Sequence, residues 1–261
     1  MDNAFKKFFK EKSGFPKFKS KKQRRDSFHV PQAGRVDFEN GTISVPKIKN
    51  ITARLSREFK GKIKTVTIRR TLSGKYFASI LVETDGQLPK KPTVRESRTV
   101  GVDVGLKDYA VISTGERIDN PKCLRKSQDK LSIAQYRMSK KCKGGFNREK
   151  QRRKVARLYE RITNQRNDFL HKLTHKLTHD NQVDSIVIED LSVKNMVKNH
   201  CLAKSISDAS WSRFFEFLAY KCDWHGKNLL TIGRFDPSSK LCTCGVVNKD
   251  LKLSDRKWKC S

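Results

Sequence analysis

Acidic residues are scarce in this chain. Asp and Glu number 27 against 58 Lys and Arg, so the 261 residues carry a net charge of +31. The basic excess runs along the whole sequence rather than sitting in one tail, and nucleic acid is the first polyanionic partner it suits. Long apolar runs are missing as well. No stretch reaches the roughly 18 residues that a spanning helix needs, and no apolar core follows Met1. The expectation is a cytosolic or nucleoid protein without a membrane partner. A glycine-rich phosphate loop and a Gly-x-Ser-x-Gly elbow are both absent, which leaves a nucleoside-triphosphate machine and a serine hydrolase unsupported. No repeat of fixed period occurs. Hydrophobic residues make up 36% of the chain, lean for an enzyme but enough for a core.

A disulfide framework is also lacking. The seven cysteines are odd in number, and Cys123, Cys142, Cys201 and Cys222 stand alone, as reduced thiols do. Cys242, Cys244 and Cys260 cluster near the end. Zinc ribbons use paired cysteines from two turns, usually Cys-x-x-Cys, to surround one ion with four thiolates. This chain has Cys-x-Cys and then a single cysteine, so zinc binding and three free thiols both stay open.

What is present divides into zones. Asp2 to Lys22 interleaves Phe5, Phe8, Phe9, Phe15 and Phe18 with lysines, with a short helix expected over Ala4 to Lys12. That pattern fits either a base-stacking surface or a packed face. From about Ser27 to Thr84 the hydrophobic period is two. Asn40-Gly41 marks one hairpin turn and Leu72-Ser-Gly74 another, which predicts a small antiparallel barrel or sandwich. Gln87 to Arg95, with Pro89 and Pro92, reads as a linker. Beyond it the order is β-β-(β)-α-β-α-β. Strands are expected at Val100 to Gly105, Tyr109 to Ser113, Ser185 to Glu189 and Leu229 to Phe235. A helical region should run from about Ser127 to Thr178 with a break at Gly144-Gly145, and a further helix from Ser210 to about Trp224, closed by Gly226.

Two acids stand out on the apolar strands. Asp103 lies within Thr99-Val-Gly-Val-Asp-Val-Gly105, and Glu189 ends Ser185-Ile-Val-Ile-Glu189. A carboxylate on a buried strand is costly unless it is paired or holds a cation. With early antiparallel strands and packed helices, the element order is that of a ribonuclease H-like domain. Such sites hydrolyse phosphodiesters with two Mg²⁺ ions held by acidic side chains. Asp108 and Asp190 are nearby acids that strand alternation or turn position sets aside. His171, His175 and His179 repeat at helical spacing that can bind a transition metal, although solvent-facing histidines are the commoner outcome.

The motifs carry a resemblance. Val100-Gly-Val-Asp-Val-Gly-Leu-Lys107, Ile188-Glu-Asp-Leu191 with Lys194-Asn-Met196, Trp211 with Phe214, Tyr220-Lys221, Trp224-His-Gly-Lys227 and Arg234-Phe-Asp-Pro-Ser-Ser-Lys240 together resemble the TnpB (OrfB) family of insertion-sequence proteins. The resemblance covers nearly the whole chain and extends to type V CRISPR effectors. It implies an α/β protein with an oligonucleotide-binding-like β-barrel, then a RuvC-type mixed sheet with packed helices, then a zinc ribbon. It also implies an RNA-guided, Mg²⁺-dependent DNA endonuclease, long described as a transposase, with guide RNA and DNA as partners. Asp103 and Glu189 take the places of the first two RuvC carboxylates, and Cys242, Cys244 and Cys260 those of three of four zinc ligands.

The expected division is a basic helical remnant (1–26), a wedge-like barrel and linker (27–95), a RuvC-like core (96–240) and an incomplete zinc ribbon (241–261). The family's third catalytic Asp follows its last zinc cysteine, and Asp255-Arg256 is not its equivalent. The expectation is therefore a fragment that binds nucleic acid and is impaired in cleavage. The alternative is a nuclease-dead RNA-guided DNA binder that blocks transcription. A strand-transferase would need a complete acidic triad.

Overall fold

The computed structural model describes residues 2–11, 14–16, 26–31, 34–180, 182–233, 244–248, 250 and 259. The chain divides into two units, Met1–Gly86 and Gln87–Ser261.

The first unit opens with helix α1 (Asp2–Glu11). Phe8 and Phe5 both meet Phe15 edge-on, at 5.4 and 6.1 Å between ring centroids, while Phe9 stays exposed. Six strands follow: β1 (Ser27–Val30), β2 (Arg35–Asp37), β3 (Thr42–Val45), β4 (Ile48–Thr52), β5 (Lys62–Arg70) and β6 (Tyr76–Glu83). They form two antiparallel sheets, β1-β5-β6 and β2-β3-β4. The β2–β3 hairpin turns where Asn40-Gly41 predicts. Asn40 donates its backbone N–H (3.0 Å) and its amide (2.7 Å) to the Asp37 carboxylate, and Gly41 takes a left-handed φ of +61°. Strand β4 was not foreseen. Asn50 sits in it at φ +53°, donating its N–H to the Ser44 hydroxyl, and this interrupts the two-residue alternation.

Ile43, Val45 and Val66 are buried between Val30, Val36, Ile51, Ile63, Ile68 and Ile80, so both sheets feed one core. Among the described residues, no strand pairing links the two sheets, and the expected barrel is seen as two sheets over that core.

The second unit begins with residues 87–95, expected as a linker. They have no regular structure, yet they pack on their own unit. Lys91 pairs with Asp223 at 2.7 Å, and Asn228 donates its amide to the Pro92 carbonyl at 2.9 Å. Composition marks this segment as irregular but cannot show what holds it.

A mixed sheet follows. Strands β7 (Thr99–Val104), β8 (Asp108–Ile112) and β9 (Arg117–Asp119) form an antiparallel meander. Helices α2 (Cys123–Ser139) and α3 (Phe146–His179) come next, then β10 (Ser185–Glu189). Short helix α4 (Val193–Met196), α5 (His200–Ala209), α6 (Trp211–Trp224) and β11 (Asn228–Ile232) complete the described elements. The sheet order is β11-β10-β7-β8-β9, with β10 parallel to both of its neighbours. The expected strand to Phe235 is seen to Ile232, and residues 234–240 lie outside the described residues. The polar loop expected after β10 contains α4, and α5 was not anticipated. The Asn199 side chain caps α5 by accepting the Cys201 N–H at 3.1 Å.

Val100, Val102, Ala110, Ile112, Ile186 and Ile188 point to one side of the sheet, against Leu170, Leu173 and Leu177 of α3 and Phe214 and Leu218 of α6. A bulge between Asp108 and Ala110 lets Tyr109 join them, its hydroxyl donating to the Ala209 carbonyl at 3.1 Å. The amino-terminal half of α3 belongs to a different cluster: Val155 and Ile162 pack with Leu131 and Ala134 of α2. Arg148 closes that hairpin by donating to the carbonyls of Met138 and Lys141 at the end of α2.

Two lysines anchor the other end of α3. Lys221 is buried and donates to the His171 carbonyl and the Thr174 hydroxyl, each at 2.8 Å. Lys227, also buried, reaches the carbonyls of Asp180 and Val183 just past the helix. Burial holds both ammonium groups below the usual lysine pKa. Gly226 has φ +62°, and a Cβ there would lie 2.8 Å from Pro89 Cβ, so the turn after α6 requires glycine. Among the described residues, no helix is long and apolar enough to cross a membrane.

Candidate active site

Parallel pairing aligns Ser185 with Thr99 and Ile188 with Val102. The next position on each strand is Glu189 and Asp103. Neighbouring strands lie about 4.8 Å apart, and residues in register on parallel strands share a face. The two carboxylates, 86 residues apart in sequence, therefore come side by side at the same end of the sheet. They lie on the face opposite the apolar core. Gly101, Asp103, Val111, Ser113, Val187, Glu189 and Ile232 line one open cleft there, and none of the seven is fully buried.

Partial burial raises the Asp103 pKa above its ordinary 3.8, and the neighbouring charge of Glu189 raises it further. The N–H of Val104 pulls the other way. Two like charges brought together in partly desolvated surroundings favour a proton or a cation between them. Both are hard oxygen donors, the ligand type that suits Mg²⁺. This donor set fits a divalent cation. Among the described residues, no group of three His, Cys, Asp or Glu side chains comes together to hold a metal ion.

The other acids sit elsewhere. Asp108 opens β8 and pairs with Arg117 at 3.4 Å. Asp190 lies one residue past β10, exposed, with its backbone N–H donating to the Ile232 carbonyl. The three helical histidines separate. His171 stacks on Phe217 at 4.1 Å, whereas His175 meets His179 at 3.5 Å and His179 meets His225 at 4.2 Å. Cys244 is exposed, and Cys242 and Cys260 lie outside the described residues.

Ser113 and Gly101 were not singled out from the sequence. The Gly101 N–H donates to the Ser113 hydroxyl at 3.1 Å, and the Ser113 N–H donates back to the Gly101 carbonyl at 2.9 Å. This extends the β7–β8 ladder past Ile112 and leaves small side chains beside Asp103. Glycine two positions to either side of Asp103, at 101 and 105, was the available signal for Gly101. Lys221 and Lys227 enter the sequence reading only within motifs and without a role, and both are interior groups.

The OrfB_IS605 family, described as "Probable transposase", matches residues 79–200, and the "Cas12f1-like, TNB domain" matches residues 211–261. A Streptomyces pristinaespiralis protein named "Putative RNA-guided DNA endonuclease" is 42% identical over 100% of this chain and 64% of its own length. The Escherichia coli K12 protein named "Putative RNA-guided DNA endonuclease InsQ" is 34% identical over 100% of this chain and 67% of its own. The chain thus spans about two thirds of the length of these relatives. Its fold is similar to that of a chain in the "Cryo-EM structure of the Cas12f1-sgRNA-target DNA complex", with a TM-score of 0.57 and 14% identity, over 99% of this chain and 66% of that one. On the match to InsQ, which spans all of this chain and 67% of InsQ, with the family matches in agreement, this chain belongs to the TnpB (OrfB) family.

Proposed function

We propose that this chain carries the RuvC-type core of an RNA-guided, Mg²⁺-dependent DNA endonuclease, with Asp103 and Glu189 as two of its metal-holding carboxylates. The observation that carries this reading is their placement at matching positions of adjacent parallel strands on the open sheet face. The order β11-β10-β7-β8-β9, a meander followed by two parallel strands, supports a ribonuclease H-like sheet. The two sheets of the first unit are read as the family's wedge-like, oligonucleotide-binding barrel. Guide RNA and DNA are the partners, in the cytosol or nucleoid, and the charge of +31 suits both.

Bound Mg²⁺ would activate water and stabilise the leaving oxygen of a phosphodiester. Asp103 and Glu189 supply hard oxygens and bring negative charge to the cleft. Because the Asp103 pKa is raised, a proton competes for the same oxygens, and divalent affinity rises with pH until Asp103 is fully ionised. Cys242, Cys244 and Cys260 are proposed as thiolate ligands of a zinc ion.

Two carboxylates hold metal less firmly than three, and among the described residues no third ligand joins this pair. Cleavage by this chain is therefore proposed to be weak. The same observation favours a second reading, a nuclease-dead RNA-guided protein that binds DNA and blocks transcription.

The test uses the full chain with its guide RNA and target DNA. Guide-dependent gel shift with little Mg²⁺-dependent cutting is expected, and the residual cutting disappears in Asp103→Ala. Shift without any cutting in the unmodified chain selects the second reading. Binding that shows no dependence on salt would overturn both.

A further inference from the structure

We propose that the groove between α2 and α3 is a track for a single strand of nucleic acid, held by its phosphates on two rows of cations. Along α2, Lys130, Ile133, Ala134 and Arg137 recur at intervals that bring them to one face. Along α3, Lys154, Arg157, Leu158 and Arg161 do the same, and the two faces line one groove. Five of its lining residues are Lys or Arg and none is Asp or Glu. Ion pairs on these helices join Glu149 to Arg152 and Arg153, Arg166 to Asp208, Asp168 to Lys172 and Lys176 to Glu116. None of them uses a groove cation. Each row spans about 10 Å, seven residues at 1.5 Å, which is room for a few nucleotides.

The floor decides which nucleic acid fits. Ile133 and Leu158 line the same groove as the cations, and Ile133 is 51% exposed although apolar. A duplex turns its base faces inward and leaves such a floor uncovered. A single strand presents bases to apolar and aromatic side chains while its phosphates meet the flanking cations. The hairpin has its own small core of Leu131, Ala134, Val155 and Ile162, separate from the core beneath the carboxylate cleft. The groove is thus a second contact surface. Its use rests on the nucleic-acid-binding reading above.

The test is a fluorescence-anisotropy titration of a short labelled oligothymidylate with the full chain, at several salt concentrations. The triple variant Lys154→Gln, Arg157→Gln, Arg161→Gln keeps good helix formers on an exposed surface, and circular dichroism checks its fold. Affinity should fall by about tenfold or more, and the slope of log K against log salt should shrink by about 2, close to 0.7 for each lost phosphate contact. A control triple of exposed residues of the second unit outside the groove, Lys90→Gln, Arg95→Gln, Lys198→Gln, removes the same charge and should change affinity less. A photo-crosslinking residue at position 133 should form an adduct with the oligonucleotide.

Unchanged affinity in the groove variant, an equal loss in the control, or no adduct at position 133 removes the groove proposal and leaves the endonuclease reading standing. Stronger binding to a duplex of the same length, lost in the groove variant, also overturns the single-strand assignment. Failure of the unmodified chain to bind oligothymidylate, duplex DNA or its guide RNA removes the broader reading along with it.

Discussion

The two faces of the five-stranded sheet come from the same strands and have opposite characters. On one, Val100, Val102, Ala110, Ile112, Ile186 and Ile188 are all buried under helices. On the other, Gly101, Asp103, Ser113 and Glu189 surround an open cleft. A period of two puts consecutive residues on opposite faces, so each strand builds the core and the site at once. The buried face holds the open one rigid, which lets two like charges sit together at the strand ends without the sheet relaxing to part them.

Breaking the buried face should have the largest effect. Ile186 is fully buried in the central strands, and Ile186→Ala is expected to lower stability by about 2–5 kcal/mol, measured as a shift in the urea midpoint. Ile186→Asp should prevent folding. The helix layer over that face depends on Lys227, which reaches carbonyls beyond the end of α3. Lys227→Ala removes both hydrogen bonds and should lower stability by about 1–3 kcal/mol in the same assay.

A smaller effect comes from pH. Burial holds His175 and His225 below the ordinary 6.5, with the charge of His179 adding to it. The unfolded chain therefore takes up protons first as pH falls. Stability contributed by the neutral rings is present above pH 6.5 and declines below it, so the urea midpoint should drop between about pH 7 and pH 5. His179→Gln should flatten that slope.

On the open face the sign reverses. A raised Asp103 pKa means the folded chain binds that proton more tightly, so the ionised group opposes folding at neutral pH. Asp103→Asn should raise the melting temperature slightly, by about 2 °C at most, since the group is exposed to solvent. In Glu189→Gln the Asp103 pKa, followed by NMR titration, should move down toward 3.8. An unchanged value would mean the two carboxyls do not sense each other.

Much of this was legible in the sequence. Asn40-Gly41, the break at Gly144-Gly145 and the glycine at 226 mark turns through local conformational demands. Asp103 and Glu189 stand out because charge is rare on apolar strands, and their meeting follows from sheet order. The features that stayed hidden depend on distant contacts. Lys221 and Lys227 carry no local sign that they turn inward onto α3 carbonyls. The segment around Pro92 has the composition of a linker, and only the Asn228 amide reveals that it is fastened. Asn50 adopts a left-handed backbone that no period-two pattern anticipates.

Helix α3 has 34 residues and passes through both hydrophobic clusters of its unit, with Val155 and Ile162 in one and Leu170, Leu173 and Leu177 in the other. Its length is about 50 Å. It behaves as a lever whose short arm is clamped beneath the sheet and whose long arm is the outer hairpin. A tilt of about 5° about Leu173 carries Phe146 through roughly 3.5 Å, given a rise of 1.5 Å per residue. By the same ratio, such a tilt moves the His179 end of the helix by less than about 1 Å.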